Sequence, residues 1–113
     1  MAKMRLSYAI KFVSDMESAI RFYRDTLGLT LRFESPFWSE FETGETILAL
    51  HPASDENPAG SVQLGLSVDD VDRFYDSGRA EGLVFTSPPT DMHGSRIARF
   101  RDVDGAEISV SSR

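Results

Sequence analysis

Cysteine is absent from all 113 residues. That excludes a disulfide framework, a thiolate zinc site and a thiol nucleophile. Long apolar runs are missing as well, and no stretch approaches the roughly 18 residues of a membrane span. The opening Met1-Ala-Lys-Met-Arg-Leu passes straight into a strand pattern rather than a leader, so a cytoplasmic protein without membrane contact is expected. Basic residues are outnumbered, 12 against 18 acidic, for a net charge of −6. Such a surface repels phosphate backbones and anionic lipid and attracts cationic small molecules, so no nucleic-acid partner is expected. There is no glycine-rich phosphate loop and no Gly-Xaa-Ser-Xaa-Gly elbow. Histidine is scarce, with His51 and His93 alone.

What remains is ordinary for a globular protein: 41% hydrophobic and 27% charged residues, in a chain long enough for one domain with a real core. The most organised stretch runs from Val13 to Leu29. Ser14 and Glu17 have capping-box spacing, which predicts a helix start at Ser14. Met16, Ala19, Ile20, Tyr23 and Leu27 recur at helical spacing opposite Glu17, Arg21, Arg24 and Asp25, so one face is built for burial. Gly28 closes the helix. Much of this is said twice: Val68-Asp-Asp-Val-Asp-Arg-Phe-Tyr75 and Gly82-Leu83 repeat the valine, the acidic helix start, the Arg-Phe-Tyr turn and the Gly-Leu exit, with the spacing drifting by a few residues.

The rest of the chain fits two half-domains. Leu6 to Val13 reads as a strand buried on both faces, with Lys11 discordant. Leu29 to Glu34, Phe37 to Glu42 and Thr46 to His51 read as further strands, with Ser35-Pro36 and Thr43-Gly-Glu45 as turns. Period two puts Trp38 and Glu40 on one strand face and Phe37, Ser39 and Phe41 on the other. His51 to Ser61 has linker composition. Val62 to Val68, a helix capped by Asp69 or Asp70, and strands at Leu83 to Thr86, Arg96 to Arg101 and Ala106 to Val110 repeat the β-α-β-β-β order. Gly78 weakens the second helix by about 1 kcal/mol relative to alanine. Ser87 to Ser95, with Pro88-Pro89 and Gly94, is predicted to be a long loop, either a lid or a tolerated insertion.

Two β-α-β-β-β modules with Val-Xaa-Asp opening the first helix, Phe-Tyr inside it, Leu-Gly-Leu closing it and Asp-Xaa-Asp-Gly before the last strand resemble the vicinal oxygen chelate superfamily. That group includes glyoxalase I, extradiol dioxygenases, fosfomycin-modifying enzymes and non-catalytic bleomycin-resistance proteins. The resemblance covers nearly the whole chain and is nearest to the metal-free bleomycin-resistance-like members. It implies an α+β fold in which modules 1–57 and 58–113 form a cup-shaped sheet in a single domain, and it implies a homodimer. One scaffold hosts several chemistries, so it fixes activity less firmly than fold.

Metal-dependent members of the family place four ligands at matching points of the first and last strands of the two modules. Those points fall here on Tyr8, Ala49, Gln63 and Ser109. Alanine supplies no donor, serine and neutral phenol poor ones, so no metal or other cofactor is expected at the usual place. His51 lies two residues beyond Ala49, Glu107 two before Ser109, Glu40 is placed to face the same cavity and His93 sits in the long loop; displaced ligands remain the alternative, giving a glyoxalase- or dioxygenase-type metalloenzyme. The remaining cavity candidates are aromatic and apolar, Tyr8, Ile10, Phe12, Trp38, Ile47 and Ile97, with Gln63, His51 and Glu107 as sparse polar groups. The leading expectation is a non-catalytic protein that binds or sequesters a planar or cationic organic compound, as antibiotic-resistance relatives do. A further alternative is an interaction module in which these aromatics pack a core or a dimer face. Arg99 and Glu40 occupy equivalent strand positions and are candidates for an ion pair.

Overall fold

The structure, a computed structural model, describes residues 3–92 and 94–112. His93, a candidate site residue, lies outside the described residues. Eight strands and two helices make a mixed α+β fold in the order β1 (Met4–Val13), α1 (Met16–Arg21), β2 (Thr30–Phe33), β3 (Ser39–Glu42), β4 (Ile47–Pro52), β5 (Val62–Val68), α2 (Val71–Ala80), β6 (Phe85–Met92), β7 (Ser95–Arg101) and β8 (Glu107–Ser112). The chain divides into two compact units, a first of Tyr8–Val62 and a second of residues 3–7 and 63–112. No helix among the described residues is long and apolar enough to cross a membrane.

In the first unit the strand order is β2-β3-β4-β1, with β1 parallel to β4 and the other pairs antiparallel. Helix α1 covers one face. Val13, Ile20, Phe41 and Leu50 are buried there, with Met16, Ala19, Tyr23, Leu29, Leu31 and Leu48 packed around them. The helix starts one residue later than the capping-box spacing predicts. Asp15 is the N-cap, in extended conformation, and its carboxylate accepts the Ser18 hydroxyl at 2.7 Å instead of a helix N–H. That hydrogen bond holds the Asp15 carboxyl below the usual carboxylate range.

A π-helical turn, Phe22–Thr26, follows α1. The Leu27 N–H donates to the Phe22 carbonyl at 3.0 Å and the Leu29 N–H to that of Tyr23 at 2.9 Å. A π turn adds a residue to the ring and rotates everything after it. Leu27, inward on a 3.6 period, is therefore 54% exposed, and Leu29 packs on the core in its place. Lys11, the discordant strand residue, donates to the Gly60 carbonyl at 3.1 Å.

In the second unit the order is β5-β8-β7-β6, and α2 packs on one face, its Val71 and Phe74 buried with Val68, Ala98, Phe100 and Val110. Asp70 caps this helix, accepting from the Arg73 N–H at 3.1 Å. Asp15 and Asp70 have nearly the same backbone conformation, yet Phe74 stands four residues after its cap and Phe22 seven after its own. Aligned on their caps, the two Arg-Phe-Tyr triplets differ by about one helical turn. Phe74 is 2% exposed and Phe22 is 48% exposed.

The predicted long loop is mostly strand. Residues Phe85–Met92 pair with β7 out to Met92 opposite Ser95. Ser87 pairs with Arg99 and Thr90 with Ile97, so three steps on β6 match two on β7. That bulge on an edge strand is where a sheet tolerates Pro88 and Pro89, which lack an N–H for the ladder. The β7–β8 turn is held by Asp102, whose carboxylate accepts from the N–H groups of Asp104 at 2.9 Å and Ala106 at 3.0 Å. Gly105 takes the positive φ of 88° that this turn requires.

Candidate functional site

Strand alternation gives each unit a face away from its helix. In the first unit Leu48 and Leu50 point to α1, so Ala49 and His51 point away. The register sets Ile10 and Glu40 on either side of Ala49, and Phe12 beside His51. Ile10, Phe12 and Ala49 are buried together, with Tyr8, Trp38 and Ala53 packed against them. Six candidates from the sequence, Tyr8, Ile10, Trp38, Glu40, Ala49 and His51, thus share one helix-free face.

Trp38 is placed by a turn rather than by the strand. The Ser35 hydroxyl oxygen accepts from the N–H groups of Phe37 at 3.3 Å and Trp38 at 3.0 Å, and donates to the Trp38 carbonyl at 2.8 Å. Ser39, fully buried, donates back to the Ser35 carbonyl at 3.2 Å. Phe37, expected to share a face with Ser39 and Phe41, lies in this turn and is 75% exposed. The indole N–H of Trp38 donates to Glu40 Oε2 at 2.7 Å, and the other Glu40 oxygen meets Arg32 Nε at 3.2 Å. The Trp38 ring sits edge-on to Tyr8, centroids 5.8 Å apart, and to His51 at 6.2 Å. His51 Nδ1 lies 2.8 Å from the Pro52 carbonyl. A carbonyl only accepts, so Nδ1 carries the proton and, in the neutral ring, Nε2 is the acceptor.

In the second unit Ile108 and Val110 point to α2, leaving Glu107 and Ser109 on the opposite face. Gly65 pairs with Ser109 on β8, and Ser109 with Arg99 on β7. Gln63 shares the alternation of Gly65 and faces the same way. Thr86 donates to Glu107 Oε2 at 2.6 Å. This face is polar where that of the first unit is aromatic. Within its own unit Glu40 has Arg32 as ionic partner, at 3.2 Å.

The donor set does not fit a divalent metal at the positions the resemblance implies. Ala49 has no donor atom and is fully buried. Glu40, which lies directly across from it, has both oxygens engaged. Among the described residues no three of His, Asp and Glu are grouped to hold a metal ion.

Residues 5–110 match the Glyoxalase/Bleomycin resistance protein/Dioxygenase superfamily. The chain belongs to this superfamily. It is 30% identical over 124 residues to the uncharacterized protein YraH of Bacillus subtilis (strain 168), across 95% of this chain and 97% of that one. Among solved structures, the hypothetical protein BH1468 from Bacillus halodurans C-125 gives a TM-score of 0.82 at 16% identity, covering 98% of this chain and 95% of that one. Methylmalonyl-CoA epimerase from Mycobacterium tuberculosis gives 0.77 at 22% identity, covering 95% and 86%. At these identities the solved structures establish the superfamily fold. Superfamily members include enzymes and binding proteins alike, so the reading of function rests on this chain's own side chains.

Proposed function

We propose that the protein binds a planar small organic molecule on the aromatic face of its first unit, without catalysis and without a divalent metal, and that it does so as a homodimer. The observation that carries this reading is Trp38, held from two sides by Ser35 and Glu40 and flanked by Tyr8 and His51. A ring whose backbone is held by Ser35 and whose indole N–H is held by Glu40 loses little freedom when a flat ligand arrives, which is what a preorganised contact requires. Edge-to-face and offset stacking contribute about 0.5–1.5 kcal/mol per ring pair. The carboxylate nearest the ring already faces Arg32, so recognition here rests on ring surfaces rather than on a free negative charge.

The test is a fluorescence titration, readable because Trp38 is the only tryptophan. Planar heteroaromatic compounds should quench its emission, and calorimetry, which needs no tryptophan, should show their binding weakened by about tenfold or more in Trp38→Ala, in line with a stacking anchor. Saturated analogues of equal size should bind less tightly. Failure of every planar compound to change the emission at near-millimolar concentration would refute the proposal.

A further inference from the structure

The two halves of the chain differ by one residue at corresponding places. Each helix leads from an aspartate cap, Asp15 or Asp70, to a glycine of positive φ, Gly28 or Gly82. Gly28 follows its cap by 13 residues and Gly82 follows its own by 12, and the extra residue is taken up in the π-helical turn Phe22–Thr26. Single π turns are rare within helices and frequently mark functional sites. Two residues of this one, Phe22 and Tyr23, line a groove.

The groove encloses about 320 Å³ and lies wholly within the first unit. Lys11 and Asp15 are its charged side chains, and Phe22, Tyr23, Ala19 and Ala59 give it an apolar wall. Val13 is buried against α1, so Lys11, two residues earlier on β1, shares that side of the strand, away from the face of Ile10 and Trp38. The wall opposite the helix is tied to β1: the Phe12 N–H donates to the Ser61 carbonyl at 3.0 Å and the Gly60 N–H to the Phe12 carbonyl at 2.9 Å. Lys11 spends one of its three donors on the Gly60 carbonyl. Neither Lys11 nor Asp15 forms an ion pair among the described residues. Arg21 reaches Asp15 through the Ser18 hydroxyl, to which it donates at 3.3 Å.

We propose that this groove binds a free α-amino acid with an apolar side chain, its carboxylate on Lys11, its ammonium on Asp15 and its side chain against Phe22. A zwitterion carries both charges on one carbon, so a groove with one cation and one anion complements it. A simple acid would meet Asp15 as a like charge, and a simple amine would meet Lys11. The volume stands at the lower end of small-molecule pockets, about 300–1,000 Å³, which suits a ligand of a few atoms better than a drug-sized one. The net charge of −6 neither draws nor repels a molecule without net charge, so the two local charges decide selectivity. Trp38 takes no part, and the site is independent of the planar-ligand face.

The test titrates 15N-labelled protein with L-leucine, which is not planar, and with three partial analogues: isocaproate lacks the ammonium, isoamylamine lacks the carboxylate and glycine lacks the side chain. The backbone amides of Lys11, Ser14, Asp15, Ala59 and Gly60 should shift with millimolar L-leucine, and L-leucine should bind about fivefold more tightly than any of the three, as partly exposed charge pairs allow. Lys11→Met should lower L-leucine affinity by a similar factor without weakening isoamylamine. Asp15→Asn, which keeps a helix-capping acceptor, should do the same without weakening isocaproate, and Phe22→Ala should weaken L-leucine while leaving glycine unchanged. Trp38 emission should stay constant throughout. Groove amides indifferent to millimolar L-leucine overturn the proposal. So does an analogue that binds as tightly as L-leucine, or an L-leucine affinity that survives both Lys11→Met and Asp15→Asn. Should L-leucine change Trp38 emission while those amides stay still, the ligand sits on the aromatic face and the groove proposal falls.

Discussion

Glu40 stands between an arginine and an indole, and its two oxygens divide between them: Oε1 faces Arg32 and Oε2 accepts from Trp38. Two roles are separable by substitution. Glu40→Gln keeps an acceptor for the indole N–H and drops the charge, whereas Glu40→Leu removes both. If orientation of the ring is what matters, Glu40→Leu should lower affinity for a planar ligand by about tenfold, the worth of one charge-assisted hydrogen bond, and Glu40→Gln should be close to the native protein. Equal losses in the two variants, measured by the same titration, would point to the charge and away from ring placement. Period two in the sequence was enough to set Glu40 and Trp38 on one strand face; that Ala49 and Ile10 lie beside Glu40 follows from the register. Periodicity could not show the Arg32 contact, because the β2–β3 register shifts between Leu31 and Phe33 and a bulge leaves no periodic signature.

At the scale of elements, hydrophobic periodicity and turn chemistry located both helices and seven of the eight strands among the described residues, and only Phe85 and Thr86 of β6. The misplacements were local: a π turn has no sequence marker that distinguishes it from a continued helix, and prolines argue for a loop until an edge bulge accommodates them. Gly78 in α2 shows how tertiary contact overrides propensity. A Cβ there would lie 2.8 Å from Leu83 Cδ1 and 3.2 Å from the Phe85 ring. Leu83 can swing aside, but Phe85 is hemmed by Tyr75 at 4.7 Å and Phe100 at 5.6 Å between ring centroids. Gly78→Ala should therefore destabilise the protein by about 1 kcal/mol, overpacking outweighing the similar gain in helix propensity. A higher urea midpoint for the variant would show that the aromatic cluster yields more readily than these distances imply.

At the scale of the whole molecule the exposed apolar side chains bear on association. The first unit leaves Phe22, Leu27, Phe33 and Phe37 exposed, among them residues at the β2–β3 turn that also carries Trp38. Single exposed apolar side chains are common, but several large ones near a candidate binding face favour association. A second copy of the chain is the simplest partner, since a two-fold contact uses one patch twice. Sedimentation equilibrium at micromolar concentration should then return about twice the 12.6 kDa of the chain, and the melting temperature should rise with protein concentration, as it does whenever association stabilises the folded state. Substituting Phe33 and Phe37 by serine tests the location of the contact: both are exposed, so folding of the isolated chain should be little affected, while the dimer should dissociate. A 12.6 kDa species across the micromolar range, with a melting temperature independent of concentration, would establish a monomer and leave Phe37 as a surface residue beside the aromatic face.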